Sequence, residues 1–277
     1  MRRAGSGVFT RTGGPGVRPL KHCFAGVIPL PRLSAIIITL NEASNIAGCL
    51  DTLSFCDECI VVDGGSTDET AKVAQGKGAR VVSHPFEGFG AQKGFALSLA
   101  TGDWVLSIDA DERVTPTLAQ EIGNAVATGA ADCYELPRRS AFCGRLMDHS
   151  GWSPDYVLRL FRRDKAYFSG DLVHERVVCN GTMARLNAPL MHDPVRRLED
   201  ALSRMDRYST AGAEQLLAEG KRISFMSGIS HGLWTFVRTY LLRAGFLDGR
   251  EGFLLAVANA EGTYYRYMKA WLKGRNR

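Results

Sequence analysis

The stretch Thr101–Glu112, which reads Thr-Gly-Asp-Trp-Val-Leu-Ser-Ile-Asp-Ala-Asp-Glu, decides the fold. A turn containing Gly102 leads into the apolar run Trp104–Ile108, which has the length and composition of a buried strand. The run stops at acidic residues, and ligands of open α/β sheets collect at the carboxyl ends of the strands. Asp109 and Asp111 therefore either hold Mg²⁺ or Mn²⁺ against a diphosphate or form a solvated acidic turn.

Two earlier strands end on polar residues in the same way. The β-branched run Leu33–Leu40 ends on Asn41 and Glu42, and the run Cys59–Val62 ends on Asp63. Helical segments separate these strands, which predicts a parallel sheet with right-handed crossovers. Because the carboxyl ends of parallel strands share one edge of a sheet, the three polar clusters are predicted to meet there. Their meeting favours the metal site over the acidic turn.

The charge is distributed unevenly along the chain of 277 residues, although the net charge is only +5. Residues 1–33 carry six basic and no acidic side chains, residues 34–220 have a net charge of −8, and residues 221–277 have a net charge of +7. A basic end on an acidic body indicates an anionic partner, either membrane headgroups or nucleic acid. The sequence contains no nucleic-acid-binding motif, so the membrane surface is favoured.

The seven cysteines are scattered, and Cys56 and Cys59 form the only closely spaced pair. No second pair or histidine cluster accompanies them, as a zinc site would require. We therefore expect structural thiols in a reducing compartment.

The chain divides into three predicted parts. Residues 1–32, rich in glycine and proline, are expected to be a disordered basic tail without a signal peptide. Residues 33–195 form the α/β domain, and residues 196–277 form C-terminal amphipathic helices. The longest apolar segment there, Ile223–Val237, is shorter than the roughly 20 residues that span a membrane. These helices are expected either to lie at a membrane interface or to pack on the core or in a dimer. One apolar stripe is predicted on the first of them: Leu198, Leu202, Met205 and Tyr208.

Three motifs resemble the nucleotide-sugar half of the family 2 inverting glycosyltransferases, which have a GT-A fold. They are Ile-Ile-Ile-Thr-Leu-Asn41-Glu42, Val-Val-Asp63-Gly-Gly-Ser-Thr-Asp68-Glu-Thr, and Gly-Asp-Trp-Val-Leu-Ser-Ile-Asp109-Ala-Asp111-Glu. The match covers about residues 33–130. A sugar nucleotidyltransferase would instead have a G-x-G-x-R loop after the first strand, and this sequence lacks one.

The resemblance implies a fold class, a donor and a metal. The fold is α/β, a GT-A domain with a Rossmann-like nucleotide-sugar half and a mixed sheet, plus a C-terminal helical appendage. The donor is a nucleotide sugar of the UDP type, and Asp111 ligates a divalent metal, Mg²⁺ or Mn²⁺, that bridges its diphosphate. Gly94 departs from the family pattern, in which an Asn commonly follows Gln-Lys. The implied donor-binding residues are Leu40, Asn41, Glu42, Asp63, Lys93 and Asp109.

A narrower resemblance, to the lipopolysaccharide-core glucosyltransferase branch of family 2, covers the second half. It rests on Trp152-Ser-Pro-Asp155, Arg159-Leu-Phe-Arg162-Arg163 and Val-His174-Glu175, and it implies glucose as the sugar and an envelope glycolipid as the acceptor. Trp152 and Asp155 are assigned to the acceptor side, where Trp152 either stacks on a sugar or packs in the core. Arg159 and Arg162 either pair with an anionic acceptor or the diphosphate, or form a solvated strand face.

Inverting transfer is a single displacement that needs a general base and a counter-charge for the leaving diphosphate. Glu175 is the predicted base, with Asp171 and Asp155 as runners-up; otherwise Glu175 is a salt-bridged strand residue. His192 either completes the metal shell beside Asp111 or is structural.

The sequence thus predicts a metal-dependent inverting glycosyltransferase, peripheral on the inner face of the cytoplasmic membrane. The alternative is a catalytically silent nucleotide-sugar-binding protein at the membrane. A processive polysaccharide synthase is disfavoured because no transmembrane helices or Q-x-x-R-W segment follow the sheet.

Overall fold

The computed structural model describes residues 31–169 and 176–275. The helices in these ranges are α1 Ala43–Asp51, α2 Thr70–Gly76, α3 Phe89–Leu99, α4 Pro116–Thr128, α5 Leu198–Ala218, α6 Phe225–Val237 and α7 Gly249–Arg275. A π-helical turn, Arg238–Leu242, and a 3₁₀ turn, Gly245–Asp248, connect α6 to α7. The strands are β1 Leu33–Thr39, β2 Glu58–Asp63, β3 Arg80–Ser83, β4 Trp104–Asp109, β5 Glu112–Val114, β6 Cys133–Phe142, β7 Arg145–Leu146, β8 Asp155–Arg162, β9 Ala166–Phe168, β10 Val177–Cys179, β11 Met183–Arg185 and β12 Leu190–Val195. The predicted tail, residues 1–32, falls almost entirely outside the described ranges.

The main sheet is mixed, with the strand order β3-β2-β1-β4-β8-β6-β12-β5. Its first half is parallel, as predicted: β1 pairs with β2 and with β4, and β2 pairs with β3. The second half reverses, because β8 runs antiparallel to both β4 and β6. β12 then pairs parallel to β6 and antiparallel to β5. The predicted α/β architecture with a mixed sheet and C-terminal helices is confirmed.

The strand register brings the polar strand ends to one level. Thr39 pairs with Asp63 across β1 and β2, and Ile38 pairs with Asp109 across β1 and β4. The carboxyl ends of these three strands therefore form a common edge, at which the first two polar clusters and the acidic cluster meet, as the sequence predicts.

Both faces of the central strands are buried. Ala35 and Ile37 belong to the same apolar cluster as Leu106, whereas Ile36 and Val105 belong to the cluster on the other face. Burying a large aliphatic side chain contributes about 1.5–3 kcal/mol. Because the central strands are buried on both faces, they fix the position of their carboxyl ends, where the polar clusters meet.

The C-terminal helices pack on the sheet and on each other. An apolar cluster joins α7 to the sheet region: Phe142, Met147, Val195 and Leu255. A second cluster joins α5 to α7: Ala213, Leu216 and Ala270. The predicted stripe on α5 is wrong, because Leu202 and Tyr208 are exposed. The boundary between residues 195 and 196 stays a prediction.

The expectation that the cysteines are free thiols is wrong for two of them. Cys133 on β6 and Cys179 on β10 form a disulfide. They are 46 residues apart in the sequence, and only folding brings them together, so spacing gives no signal of the pair. The closely spaced Cys56 and Cys59 are free thiols.

Over residues 31–169 and 176–275, none of the helices has both the length and the hydropathy needed to cross a bilayer.

Candidate functional site

A cleft of about 630 Å³ opens at the carboxyl edge of the parallel strands. The lining residues come from the ends of β1 and β4, the segments that follow β1, β3 and β4, and from α3, β12 and α5. The lining residues are Ile38, Thr39, Leu40, Glu42, Phe86, Phe89, Gln92, Lys93, Asp109, Ala110, Asp111, His192, Arg204, Arg207 and Tyr208. Six of the residues predicted from the sequence line this cleft: Leu40, Glu42, Lys93, Asp109, Asp111 and His192.

Asp109 lies between two cations at the end of β4. Lys93 Nζ is 3.1 Å from one carboxylate oxygen, and Arg159 Nη2 donates to the other. Burial alone would raise the pKa of Asp109, but these two cations outweigh it and hold the pKa well below its usual range. Asp109 is therefore ionised.

Glu112 lies beneath the cleft and is fully buried. It accepts hydrogen bonds from the Asp109 backbone N–H at 3.0 Å, from Arg159 Nη2 at 2.6 Å and from Arg138 Nη1 at 3.4 Å. Two carboxylates and two guanidinium groups thus form one internal network. Arg159 is only 7% exposed, so it positions Asp109 rather than presenting its charge to a ligand. The interpretation of Arg159 as part of a solvated strand face is wrong.

Asp111 and His192 are the pair that fits a divalent cation. His192 Nε2 is 3.5 Å from Asp111 Oδ2, and His192 Nδ1 is 2.8 Å from Ser140 Oγ. The serine fixes the orientation of the imidazole ring, as outer partners of metal-ligating histidines do. Burial raises the pKa of Asp111, whereas the hydrogen bond from His192 and its charge lower it. The lowering is the larger effect, so the pKa of Asp111 lies below its usual value. An ionised carboxylate and an imidazole nitrogen therefore face the same part of the cleft.

A site to which the protein supplies only two ligands suits a cation that also binds a substrate. Within the described residues, no group of three or more His, Cys, Asp or Glu side chains converges on one point. Mg²⁺ is usually bound by one or two carboxylates together with substrate phosphates. The donor set at Asp111 and His192 fits that mode.

Glu42 and Asn41 follow β1 but face different ways. Glu42 lines the cleft, accepts from Asn45 Nδ2 at 2.7 Å, and has its pKa raised by burial. Asn41 instead accepts from the Thr67 backbone N–H at 2.8 Å and has a positive φ of 58°. Asn41 thus holds the loop after β2.

Asp63 has both carboxylate oxygens occupied inside the protein. Oδ1 accepts from Thr39 Oγ1 and Ser66 Oγ, and Oδ2 accepts from the backbone N–H groups of Gly65 and Ser66. The side chain organises the loop after β2, and its predicted contact with the nucleoside stays a prediction.

Two of the residues predicted on the acceptor side, Asp155 and Arg162, lie at opposite ends of β8. Asp155, at the start of β8, accepts from Arg138 Nε at 2.8 Å and so touches the network beneath the cleft. Arg162, at the other end, pairs with Asp132 at 3.4 Å and lies over the Trp104 ring. Because Trp104 starts β4 and Asp109 ends it, Arg162 lies at the opposite edge of the sheet, and its assignment to the diphosphate is wrong. Trp152 packs edge-on against Phe142.

Sequence reasoning missed the wall contributed by α5. Arg204, Arg207 and Tyr208 line the cleft, although the sequence predicts that they belong to the C-terminal appendage. Their i, i+3 and i+4 spacing is the signal that puts them on one helix face. The predicted bases Glu175 and Asp171 lie outside the described residues and stay predictions.

Comparison with known proteins decides the family. Residues 34–185 match the family described as Glycosyl transferase family 2. The chain belongs to glycosyltransferase family 2. A relative from Rickettsia felis, an uncharacterised glycosyltransferase, is 31% identical over 89% of this chain and 93% of its own. The lipopolysaccharide core biosynthesis glycosyltransferase LpsC of Rhizobium meliloti is 32% identical over 88% of this chain and 92% of its own. The protein is therefore a glycosyltransferase.

Among solved structures, glucosyl-3-phosphoglycerate synthase from Mycobacterium tuberculosis, in complex with Mn²⁺, uridine diphosphate and glucosyl-3-phosphoglycerate, is 31% identical. That similarity covers 39% of this chain and 44% of the other, with a TM-score of 0.36.

Proposed function

We propose that this family 2 glycosyltransferase moves a glucosyl group from a UDP-type donor to an envelope glycolipid such as lipopolysaccharide core, with inversion and with a divalent metal. The observation that carries the proposal is the convergence of Asp111 and His192, 3.5 Å apart, in the same cleft as the ion pair of Lys93 and Asp109. The relative named for lipopolysaccharide core biosynthesis supports the acceptor class.

The cleft has the groups that a nucleotide-sugar donor requires. Leu40 and Glu42, which follow β1, line the cleft together with Lys93 and Asp109, and we assign all four to the donor. Asp111 and His192 would hold Mg²⁺ or Mn²⁺. When bound there, the cation would supply positive charge for the diphosphate. In the neutral tautomer with Nδ1 protonated and donating to Ser140 Oγ, His192 would offer its Nε2 lone pair to the cation, which would replace the proton between Nε2 and Asp111.

The transfer is a single displacement. An acceptor hydroxyl oxygen forms a bond to the anomeric carbon, the bond from that carbon to the phosphate oxygen breaks, and the nucleoside diphosphate leaves with the electron pair. A carboxylate takes the hydroxyl proton, and Glu175 is the proposed base, with Asp171 and then Asp155 as runners-up. Asp109, ionised and fixed by Lys93 and Arg159, orients the sugar nucleotide.

Association with a membrane surface is supported by the exposed apolar side chains of the C-terminal helices. Of the 20 exposed large apolar side chains in the described residues, 12 lie between Phe225 and Leu272. On α6, Phe225, Met226, Ile229 and Leu233 share one face by their spacing. Exposed apolar residues beside an excess of basic ones suit the surface of an anionic bilayer. We place the protein in the cytoplasm, peripheral on the inner face of the membrane, where nucleotide sugars are supplied.

The test is nucleoside diphosphate release from a panel of nucleotide sugars, with and without a lipid A-core acceptor and with and without EDTA. We expect acceptor-dependent release that EDTA abolishes, and Asp111→Asn should reduce turnover by about 100-fold or more, since the counter-charge for the leaving group is lost. Asp51→Asn, in an exposed pair with Lys77, is the matched control and should leave turnover unchanged.

Two outcomes would contradict the proposal. Turnover by Asp111→Asn in EDTA would eliminate the metal role. Tight binding of a nucleotide sugar by the wild-type protein without any transfer would favour the catalytically silent binding protein instead.

A further inference from the structure

A second cavity, of about 340 Å³, adjoins the donor cleft. One wall is built by Phe142 and Trp152 and the other by α5 and α7, including Leu255. Arg204 and Tyr208 line both cavities. A molecule in the second cavity would therefore lie next to the donor, with Arg204 at the junction. The volume falls within the roughly 300–1,000 Å³ of small-molecule sites.

The charge of this cavity is positive. Arg204 and Arg266 contribute guanidinium groups, and no Asp or Glu is among the described residues that line it. Within the described ranges, Arg204 makes no hydrogen bond or ion pair. Arg266 uses only Nε, which donates to the Gly212 carbonyl at 3.3 Å, so its two Nη groups have no hydrogen-bond partner there. Two half-buried guanidinium groups with donors to spare are suited to a carboxylate or a phosphate.

The opposite wall is aromatic and apolar. The Trp152 ring meets Phe142 edge-on, with ring centroids 6.0 Å apart, and is only partly buried. Phe142 is buried beside it, and both belong to the apolar cluster that includes Leu255 of α7. An indole ring at the edge of a cavity offers a flat surface for the apolar face of a sugar ring.

We propose that this second cavity binds the acceptor, and that Arg204 and Arg266 recognise a carboxylate or phosphate group on the sugar that lies against Trp152. The inference rests on the proposed glycosyl transfer and adds the chemical class of the acceptor, an acidic sugar. The donor diphosphate does not account for Arg266, which lines the second cavity and not the donor cleft, whereas Arg204 lines both.

The test uses deacylated lipopolysaccharide-core oligosaccharide in three forms: intact, carboxyl-reduced and dephosphorylated. Binding to the full-length protein is measured by calorimetry, and UDP binding is measured in parallel. Arg266→Gln should weaken binding of the intact oligosaccharide by about 10- to 100-fold and change UDP affinity by less than about twofold, because Arg266 lines only the second cavity. Arg204→Gln should weaken oligosaccharide binding by a similar factor and should also lower UDP affinity, because Arg204 lines the donor cleft as well. Arg197→Gln, in an exposed pair with Glu199 just before α5, is the control and should bind like the wild type.

Whichever chemical treatment removes the recognised anion should weaken binding to the wild type at least as much as either substitution does, and it should not weaken binding to the variant that carries both substitutions. That result would identify the anion as carboxylate or phosphate. Equal binding of all three oligosaccharides by the wild type, or a loss of UDP affinity in place of oligosaccharide affinity, would overturn the inference.

Failure of the transfer reaction can be told apart from failure of this site. Arginine-dependent binding of the acidic oligosaccharide without nucleoside diphosphate release would refute the proposed function and leave the site standing. Release that proceeds equally well with neutral and acidic acceptors would refute the site alone.

Discussion

At the scale of single residues, the site depends on a network of buried charged side chains that no sequence motif predicts. Glu112 was visible in the sequence only as the last acid of the cluster, without a role. In the structure it is fully buried and accepts from Arg159 and Arg138 beneath Asp109. The sequence left Arg159 either as a partner of an anionic acceptor or the diphosphate or as part of a solvated strand face, whereas in the structure its Nη2 donates to Asp109 and Glu112. A sequence pattern gives the spacing along β8 but not which partner neutralises a charge.

We expect Glu112→Gln to lower the free energy of unfolding by about 3 kcal/mol, because the variant leaves Arg159 buried with one counter-charge fewer. Urea unfolding followed by circular dichroism measures the change. Glu69→Gln is the matched control: Glu69 pairs with Lys72 at 2.8 Å on the exposed surface, and its loss should cost less than about 1 kcal/mol. Equal losses in the two variants would show that the buried network does not stabilise the fold.

At the scale of elements, local signals predicted the first half well. Thr115 accepts from the Leu118 backbone N–H as the N-cap of α4, with Pro116 as its first residue. The parallel strands were also predictable, since each is an apolar run that ends on polar residues. The reversal at β8 and the contribution of α5 to the cleft were not, because both depend on tertiary pairing rather than on periodicity. The stripe on α5 failed for the same reason: α5 buries Ser209, Ala213 and Leu216 against its neighbours.

The close packing of the start of α7 against the preceding 3₁₀ turn provides a prediction at the scale of elements. A Cβ atom at Gly252 would lie 2.0 Å from the Gly245 carbonyl oxygen of the 3₁₀ turn, so the backbone would have to shift. Gly252→Ala should therefore lower the free energy of unfolding by about 1–3 kcal/mol. Gly123→Ala makes the same change inside α4, where a Cβ atom would meet nothing within 4 Å apart from the adjacent residues and the backbone of α4 itself.

Gly123→Ala should raise the free energy of unfolding by up to about 1 kcal/mol, because alanine loses less backbone entropy in a helix. Thermal and urea unfolding of the two variants give the comparison. A stabilising effect of Gly252→Ala would mean that α7 does not rest on the turn as closely as the structure indicates.

At the scale of the whole molecule, α5 is what the sequence misjudged most. Residues 196–277 were predicted to be an appendage that either lies at a membrane interface or packs on the core or in a dimer. In the structure, Arg204, Arg207 and Tyr208 on α5 line the donor cleft. The same C-terminal segment exposes apolar side chains on α6. One group of helices thus joins the candidate site to the proposed membrane surface, which would place a lipid-linked acceptor close to the second cavity.

Membrane association is tested by sedimentation with vesicles. The wild-type protein should bind vesicles that contain anionic lipid more tightly than neutral ones, since each nearby basic residue adds about 1 kcal/mol. Leu233→Glu, at a side chain that is 64% exposed on α6, should weaken that binding by about tenfold or more. Met183→Glu, at an exposed site on β11, is the control and should bind normally. Identical sedimentation of all three proteins would refute the α6 contact.

The central claim is an inverting transfer from a nucleotide sugar, and its most direct test is the stereochemistry of the product. The wild-type protein, a divalent metal, the nucleotide sugar with an α-linkage that supports release, and the core oligosaccharide are mixed and followed by proton NMR. We expect the signal of the α-linked donor to decline as that of a β-linked product grows, with one nucleoside diphosphate released for each new glycoside. An α-linked product, or loss of donor without a new glycoside, would contradict the account.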